Sequence, residues 1–292
     1  MAPIIPDDCE EKMMNRRIAF FGPVGTYTEE AALLYNPHTD LQPFPTIAAV
    51  FLAVSSGITD QGVVPIENSL EGSVTYTLDL LISQSLLSIF KEIVLPIEHF
   101  LMAKPGTRAA DIQVIYSHPQ ALAQCRNFLE RCFPQGQQVA SLSTVAAVVD
   151  MKASSLCAAA IAPRRAAALH DVEIIGQNIQ DNPINVTRFV VLGRQDHPPT
   201  GRDKTSICFS FREDLPGLLY RALGEFAERN INLAKVESRP TKQSLGQYIF
   251  LIDCEGHRQD RLVKEAIEAL ATQTSTLKVL GSYPRWEGAT ER

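Results

Sequence analysis

Four times before residue 153 an apolar run stops, a cluster of Ser, Thr, Asn or Gln follows, and a helical pattern begins. Arg17 to Phe21 passes through Gly22-Pro23-Val24-Gly25-Thr26-Tyr27-Thr28 into a helix expected over 29–35. Gly62 to Ile66 passes through Glu67-Asn68-Ser69 towards a helix over 76–84. Val114 to Tyr116 leads through Ser117-His118-Pro119-Gln120 into a helix over 121–132, and Gln138 to Ser141 through Leu142-Ser143-Thr144 into one over 145–152. A strand followed at once by a helix, repeated this way, commits the chain to open α/β sheets whose loops gather beyond the strands' carboxyl ends. Any one loop reads as capping chemistry. Four together, with few lysines, read as one crevice lined by neutral donors.

Neither common cofactor signature is present. The Gly22–Thr28 loop lacks the third glycine of a dinucleotide fingerprint and the lysine of a phosphate loop, although amides at a helix start still suit a carboxylate. The most unusual segment is Asn185-Val186-Thr187-Arg188-Phe189, which enters the apolar run Val190-Val191-Leu192 through an amide, a hydroxyl and a guanidinium. Alternation in a strand puts Thr187 on one face and Arg188 on the other. Asn185-Val186-Thr187 is also a glycosylation sequon, irrelevant in a reducing compartment.

Composition narrows the partners. A formal net charge of −6 without a basic stripe argues against nucleic acid, and no apolar run is long enough to span a bilayer. Met1 to Arg17 is acidic and lacks a signal peptide's apolar stretch, so it reads as a loose tail. The six cysteines form no C-x-x-C pair, and Cys125 and Cys132, two turns apart on one expected helix, are too distant to bridge; free thiols and a cytoplasmic location are the economical reading. The six histidines show no metal-ligand spacing, so no metal is expected.

Residues 195–203 are rich in Pro and charge and read as a linker. Beyond it the pattern is strand (205–211), helix (216–228), strand (233–238), strand (247–253), helix (261–272), strand (277–282), the ferredoxin-like order βαββαβ.

Gly22-Pro23-Val24-Gly25-Thr26-Tyr27, Pro65-Ile66-Glu67-Asn68-Ser69, Ser117-His118-Pro119-Gln120 and Thr187-Arg188-Phe189 together resemble the motifs of prephenate dehydratases, in their order and spacing. Through Glu237-Ser238-Arg239-Pro240 and the Pro216-Gly217 helix start, the remainder resembles the ACT regulatory domain those enzymes carry. The resemblance covers about residues 17–285, and with no chorismate mutase segment ahead of it the chain looks like the monofunctional form. It implies an α/β catalytic domain over 17–194, built like a periplasmic binding protein from two lobes (about 17–97 with 180–194, and about 98–179). An ACT domain would span 204–285, with tails at 1–16 and 286–292. The implied reaction is decarboxylative dehydration of prephenate to phenylpyruvate, in phenylalanine biosynthesis, with no cofactor. The family's essential threonine falls on Thr187, and other polar site residues on Asn68, Ser117 and Gln124; His118 belongs to the same motif. By the same analogy L-phenylalanine would bind and inhibit at Leu215, Gly217, Leu218, Leu219, Asn232, Glu237, Ser238, Arg239 and Pro240, in a homodimer or homotetramer. Leu218 departs from the family's common Gly-Ala-Leu and adds bulk there.

The chemistry fits these residues. Prephenate carries two carboxylates and a ring hydroxyl, and losing carbon dioxide with hydroxide leaves an aromatic ring. The protein must orient the substrate and supply a hydrogen-bond donor to the departing oxygen, which a neutral Thr187 hydroxyl can do. Thr26, Ser69, Ser143, Thr144 and loop amides are candidates for the remaining oxygens, and Arg188 is either a carboxylate ligand or half of a structural ion pair. Two other readings remain: the same fold acting on arogenate, and a non-catalytic cytosolic amino-acid sensor.

Overall fold

The computed structural model describes residues 16–83, 86–213, 215–241 and 247–288, arranged around three sheets. The first stretch runs β1 (Arg17–Phe21), α1 (Tyr27–Tyr35), β2 (Asp40–Phe44), α2 (Ile47–Ser56), β3 (Gln61–Asn68), β4 (Gly72–Ser73), α3 (Thr75–Ser83) and β5 (Ser88–Pro96). The chain crosses to β6 (Phe100–Ala103), β7 (Val114–Ser117), α4 (Pro119–Gln124), α5 (Arg126–Cys132) and β8 (Gln137–Ala140), then to α6 (Thr144–Ala153), β9 (Ala158–Ala162), α7 (Arg164–His170) and β10 (Glu173–Gly176). It returns through β11 (Val186–Gly193) and continues into β12 (Asp203–Ser210), α8 (Leu218–Ala227), β13 (Leu233–Pro240), β14 (Tyr248–Glu255), α9 (Arg261–Gln273) and β15 (Thr276–Pro284).

The first sheet has the order β2-β1-β3-β11-β5, with β4 on β3. β1 runs parallel to β2 and β3, and β11 antiparallel to β3 and β5. That one reversal brings the beginning of β11 to the carboxyl end of β3, where Thr187 stands opposite Asn68. The second sheet, β10-β6-β9-β7-β8, makes the other lobe. Its strand β9, Ala-Ala-Ala-Ile-Ala, is buried throughout because helices cover both faces: Ala158, Ala160 and Ala162 join one core cluster, Ala159 and Ile161 the other. Two crossings connect the lobes, and the Ile97 amide donates to the Asn185 carbonyl at 2.8 Å where they meet.

The third sheet, β13-β14-β12-β15, is antiparallel with α8 and α9 on one face, the expected ferredoxin-like arrangement. Its other face is not solvated. Cys208, Leu251, Leu280 and Tyr283 share a core with Val50, Leu81, Ile89 and Leu192 of the first lobe. Gly281 (φ +154°) allows this approach, since a Cβ there would lie 2.3 Å from the Ile89 carbonyl oxygen.

Several elements differ from the sequence reading. Strand β2, Asp-Leu-Gln-Pro-Phe, which the sequence reading did not assign, is an edge strand, where Pro43 is tolerated. The single helix expected over 121–132 breaks at Cys125, whose φ/ψ of −112°/17° leave the α region. The freed Gln124 carbonyl accepts from the Asp181 amide at 2.7 Å, and Asp181 Oδ2 accepts from the Asn127 amide at 3.1 Å. The returning segment is thereby pinned to the helix end that carries Gln124. Strand β12 begins within the expected linker, at Asp203, and Trp286 packs against the first lobe rather than opening a tail. The expected N-terminal tail (all but Arg16), Gln84 of the helix expected over 76–84, and residues 289–292 lie outside the described residues.

Candidate functional site

Between the lobes lies a cavity of about 290 Å³. A larger hollow of about 760 Å³ runs between α3 and the third sheet, but the convergent strand-end loops surround the smaller one. Of the expected residues, Thr26, Asn68, His118, Gln124, Ser143, Thr144 and Thr187 line it. Phe21, Tyr27, Ile97 and Phe189 supply apolar wall.

At its centre Thr187 and Asn68 are bonded side chain to side chain. The Leu70 and Glu71 amides donate to Asn68 Oδ1 at 2.9 and 3.1 Å, which identifies that atom as the carbonyl oxygen and Nδ2 as the donor. Asn68 Nδ2 donates to Thr187 Oγ1 at 2.9 Å and to Asn185 Oδ1 at 2.8 Å, with the Val186 carbonyl at 3.2 Å. The threonine oxygen accepts, so its own proton is left to donate.

The helices α1 and α6 both start at this cleft. Ser143 caps α6 by accepting from the Ala146 amide at 3.0 Å. Thr26 stands at the N-cap position of α1 without capping; its hydroxyl donates to the Pro23 carbonyl at 2.9 Å. Glu29 serves the turn instead, accepting from the Gly25 amide at 2.7 Å. Gly25, at φ +93°, makes that turn and leaves room for the second lobe: a Cβ there would lie 3.1 Å from Leu169 and 3.3 Å from Val145. Glu29 also receives Arg165 of α7 in two bonds, Nε at 2.6 Å and Nη2 at 3.1 Å, a bidentate pair joining the lobes. Burial opposes the Glu29 charge, but Arg165 and the Gly25 amide hold its carboxyl below the usual range. His118 caps α4 through Nδ1, which accepts from the Gln120 amide at 3.3 Å, so its ring proton sits on Nε2.

Three expected ligands are placed elsewhere. Ser117 is buried and donates to the Ile161 carbonyl at 2.7 Å. Ser69 is exposed at the lobe crossing, where its Oγ accepts from the Val186 amide at 3.0 Å. Arg188 points to the opposite face of β11, towards the third sheet. Its Nη1 bonds Asp253 at 2.7 Å, its Nη2 donates to the Tyr283 hydroxyl at 2.7 Å, and its Nε lies 2.7 Å from Glu92 as an ion pair without hydrogen-bond geometry. Burial opposes the charges of both partners, yet Asp253 is held below the ordinary carboxylate range by Arg188 and Ser206, and the Arg188 guanidinium stays protonated.

Of the expected effector residues, Glu237 and Arg239 contact the first lobe. Glu237 accepts from Ser73 Oγ at 2.5 Å, Lys235 bridges Glu237 and Glu67 at 3.1 and 3.2 Å, and Arg239 pairs with Asp79 at 2.8 Å. Ser238, Pro240 and Asn232 are exposed, Leu215 and Gly217 lie exposed ahead of α8, and Leu218 and Leu219 occupy its first turn.

The sequence reading missed His99, Asn185 as a site residue, and the Glu29–Arg165 pair. His99 bonds Gln124, 25 residues on, and 136 residues separate Glu29 from Arg165, so neither contact leaves a local signal. Among the described residues no group of His, Cys, Asp and Glu is arranged to hold a metal, and no helix is long and apolar enough to cross a membrane.

A family model described as prephenate dehydratase matches residues 18–197, and one described as ACT domain matches residues 207–272. The bifunctional chorismate mutase/prephenate dehydratase of Stutzerimonas stutzeri is 42% identical over 270 residues, 92% of this chain and 73% of that protein. A solved prephenate dehydratase from Arthrobacter aurescens in complex with L-Phe is 36% identical, with a TM-score of 0.85 over 92% of this chain and 90% of that one. A solved structure described as GqqA, a novel type of quorum quenching acylase, is 31% identical, with a TM-score of 0.84 over 93% of this chain and 99% of that one.

Proposed function

The chain belongs to the prephenate dehydratase family and carries an ACT domain, and from this we infer how its own residues carry the reaction and its control. The reaction converts prephenate to phenylpyruvate. The bond between the ring and its carboxylate breaks, its electron pair enters the ring, and the pair of the opposite carbon–oxygen bond leaves with the hydroxyl. Carbon dioxide and hydroxide depart and the ring becomes aromatic, with no oxidant or reductant consumed.

Thr187 is the donor to the departing oxygen. The observation that carries this is the Asn68 Nδ2 bond to Thr187 Oγ1, with Asn68 held by two backbone amides, which leaves the threonine proton for the cleft. Donors fixed before reaction need no reorganisation as charge develops on the oxygen. The starts of α1 and α6, with Thr26, Ser143 and Thr144, receive carboxylate oxygens, and Gln124 and His118 Nε2 add donors. Ser117 and Ser69 shape the lobes, and Arg188 joins the catalytic strand to the ACT domain. An acylase-like reaction would need a base on its nucleophile; among the described residues no histidine or carboxylate bonds Thr187.

L-phenylalanine is the proposed effector, supported by the L-Phe complex of the Arthrobacter aurescens structure. Its expected strand β13 is bonded through Lys235 and Glu237 to Glu67 and Ser73, beside Asn68, so a change at β13 has a short path to the site. We further propose a homodimer or homotetramer in the cytoplasm. Turnover of prephenate with and without L-phenylalanine tests the reading, with arogenate and an N-acyl amide as parallel substrates. Prephenate turnover that L-phenylalanine suppresses supports it; no turnover of prephenate, or N-acyl amide hydrolysis in its place, overturns it.

A further inference from the structure

Beyond Thr187 and Asn68, the hydrogen bonds continue through Asn185 to Gln124, where a second donor, His99, meets them. Asn68 Nδ2 donates to Asn185 Oδ1, so Asn185 Nδ2 is the donor in its 3.1 Å contact with Gln124 Oε1. Gln124 Oε1 is therefore an acceptor, and His99 Nε2, 2.8 Å from the same atom, must carry a proton. Four side-chain orientations follow from two backbone amides, those of Leu70 and Glu71.

We propose that His99 and Asn185 are positioning residues that turn Gln124 so that its amide nitrogen, rather than its oxygen, is offered to the substrate. With Oε1 occupied twice, the Nε2 protons are what Gln124 has left for the cavity it lines. An anionic substrate rewards donors and is repelled by carbonyl oxygens, and a free glutamine presents either end. His99 and Asn185 remove that choice before substrate arrives.

Their surroundings fit the role. Asn185 is 1% exposed and His99 3% exposed, and both sit where the chain crosses between lobes. The Gln180 side chain holds the His99 amide at 2.9 Å. His99 Nδ1 is buried without a partner among the described residues, so protonating it would bury an unpaired cation. Burial indeed lowers the ring's pKa, with the Gln124 bond opposing, and keeps the neutral Nε2–H form.

The inference rests on the dehydratase reading, so the test begins with wild-type turnover of prephenate, whose absence would remove that reading. Selective ¹⁵N labelling of histidine in the full chain, with the His99 signal assigned by its loss in His99→Gln, then reads the tautomer directly. A pyrrole-like Nε2 and pyridine-like Nδ1 are expected; protonated Nδ1 with bare Nε2 overturns the inference whether or not a variant folds. In kinetics, His99→Leu frees Gln124 and raises KM about fivefold or more, the scale of one lost hydrogen bond, with a smaller change in kcat. His99→Gln, which keeps a donor near the Nε2 position, brings KM back to within about twofold of wild type. A residue of merely structural weight would lower the melting temperature and active fraction in both variants without this split. An unchanged KM in His99→Leu, or a raised KM that His99→Gln does not restore, overturns the proposal.

Discussion

Replacing Arg188 by leucine separates a ligand from a structural ion pair. The guanidinium is 12% exposed and faces Asp253 at 2.7 Å and Glu92 at 2.7 Å, with Glu67 at 3.5 Å. Lys204 Nζ, 2.9 Å from Glu92, continues to compensate that carboxylate in the variant. Asp253 keeps only the Ser206 hydroxyl at 2.5 Å and the more distant Lys204 charge. Breaking a buried pair and leaving one charge behind costs about 3–5 kcal/mol, whereas an exposed pair costs under about 1 kcal/mol. Arg188→Leu is therefore expected to lower unfolding free energy in urea by about 3 kcal/mol or more. Adding Asp253→Asn removes the stranded charge and recovers at least about 1 kcal/mol of that loss. On the folded fraction, KM for prephenate stays within about threefold of wild type, since the side chain lies on the far face of β11 from the cleft. A loss under about 1 kcal/mol, or a KM raised by two orders of magnitude in folded protein, would refute the placement of Arg188 in the interface.

Four further outcomes follow from the lobes and the regulatory strand. Glu29→Gln loses the charge that pairs with Arg165 and raises KM by about threefold or more in steady-state assays, because the lobes lose their bidentate contact; an unchanged KM would exclude a role in closure. The Glu29 carboxyl is lowered in the folded state, so its contribution to stability is complete above about pH 4.3 and is lost as pH falls through its lower folded value; urea midpoints against pH should show that acid-side loss shrink in Glu29→Gln. Gly25→Ala forces an L residue to φ +93° against Val145 and Leu169, at a cost of about 1–3 kcal/mol, and an unshifted urea midpoint would contradict the turn's strain. Glu237→Gln weakens the contacts to Ser73 and Lys235, and L-phenylalanine inhibition should need about tenfold more effector; an unaltered inhibition curve would remove β13 from the coupling.

What the sequence revealed was local. Strand ends followed by capped helices identified the α/β lobes, and the polar clusters at Asn68, Gln124, Ser143 and Thr187 pointed to the cleft because they gather at the ends of successive strands. Alternation already set Arg188 opposite Thr187, but its partners Asp253 and Tyr283 lie 65 and 95 residues away and carry no local mark. His99 was hidden for the same reason, since it acts through Gln124, 25 residues on. Ser69 and Ser117 occupy motif positions that look like ligands, yet their hydroxyls satisfy backbone groups near the lobe crossing and inside the second sheet. The break at Cys125 escaped helical periodicity because both halves keep an apolar face, and the Asp181 contacts that satisfy its freed groups come from the returning chain.

The most direct test of the account is the single-turnover rate of prephenate with Thr187→Ala. Asn68 then has no hydroxyl to orient, and the departing oxygen loses its donor. A fall of about 10²-fold or more is expected, ~3 kcal/mol of barrier, with Thr187→Ser intermediate and the cleft otherwise intact. A Thr187→Ala rate equal to wild type would contradict the claim that this hydroxyl assists the departing oxygen.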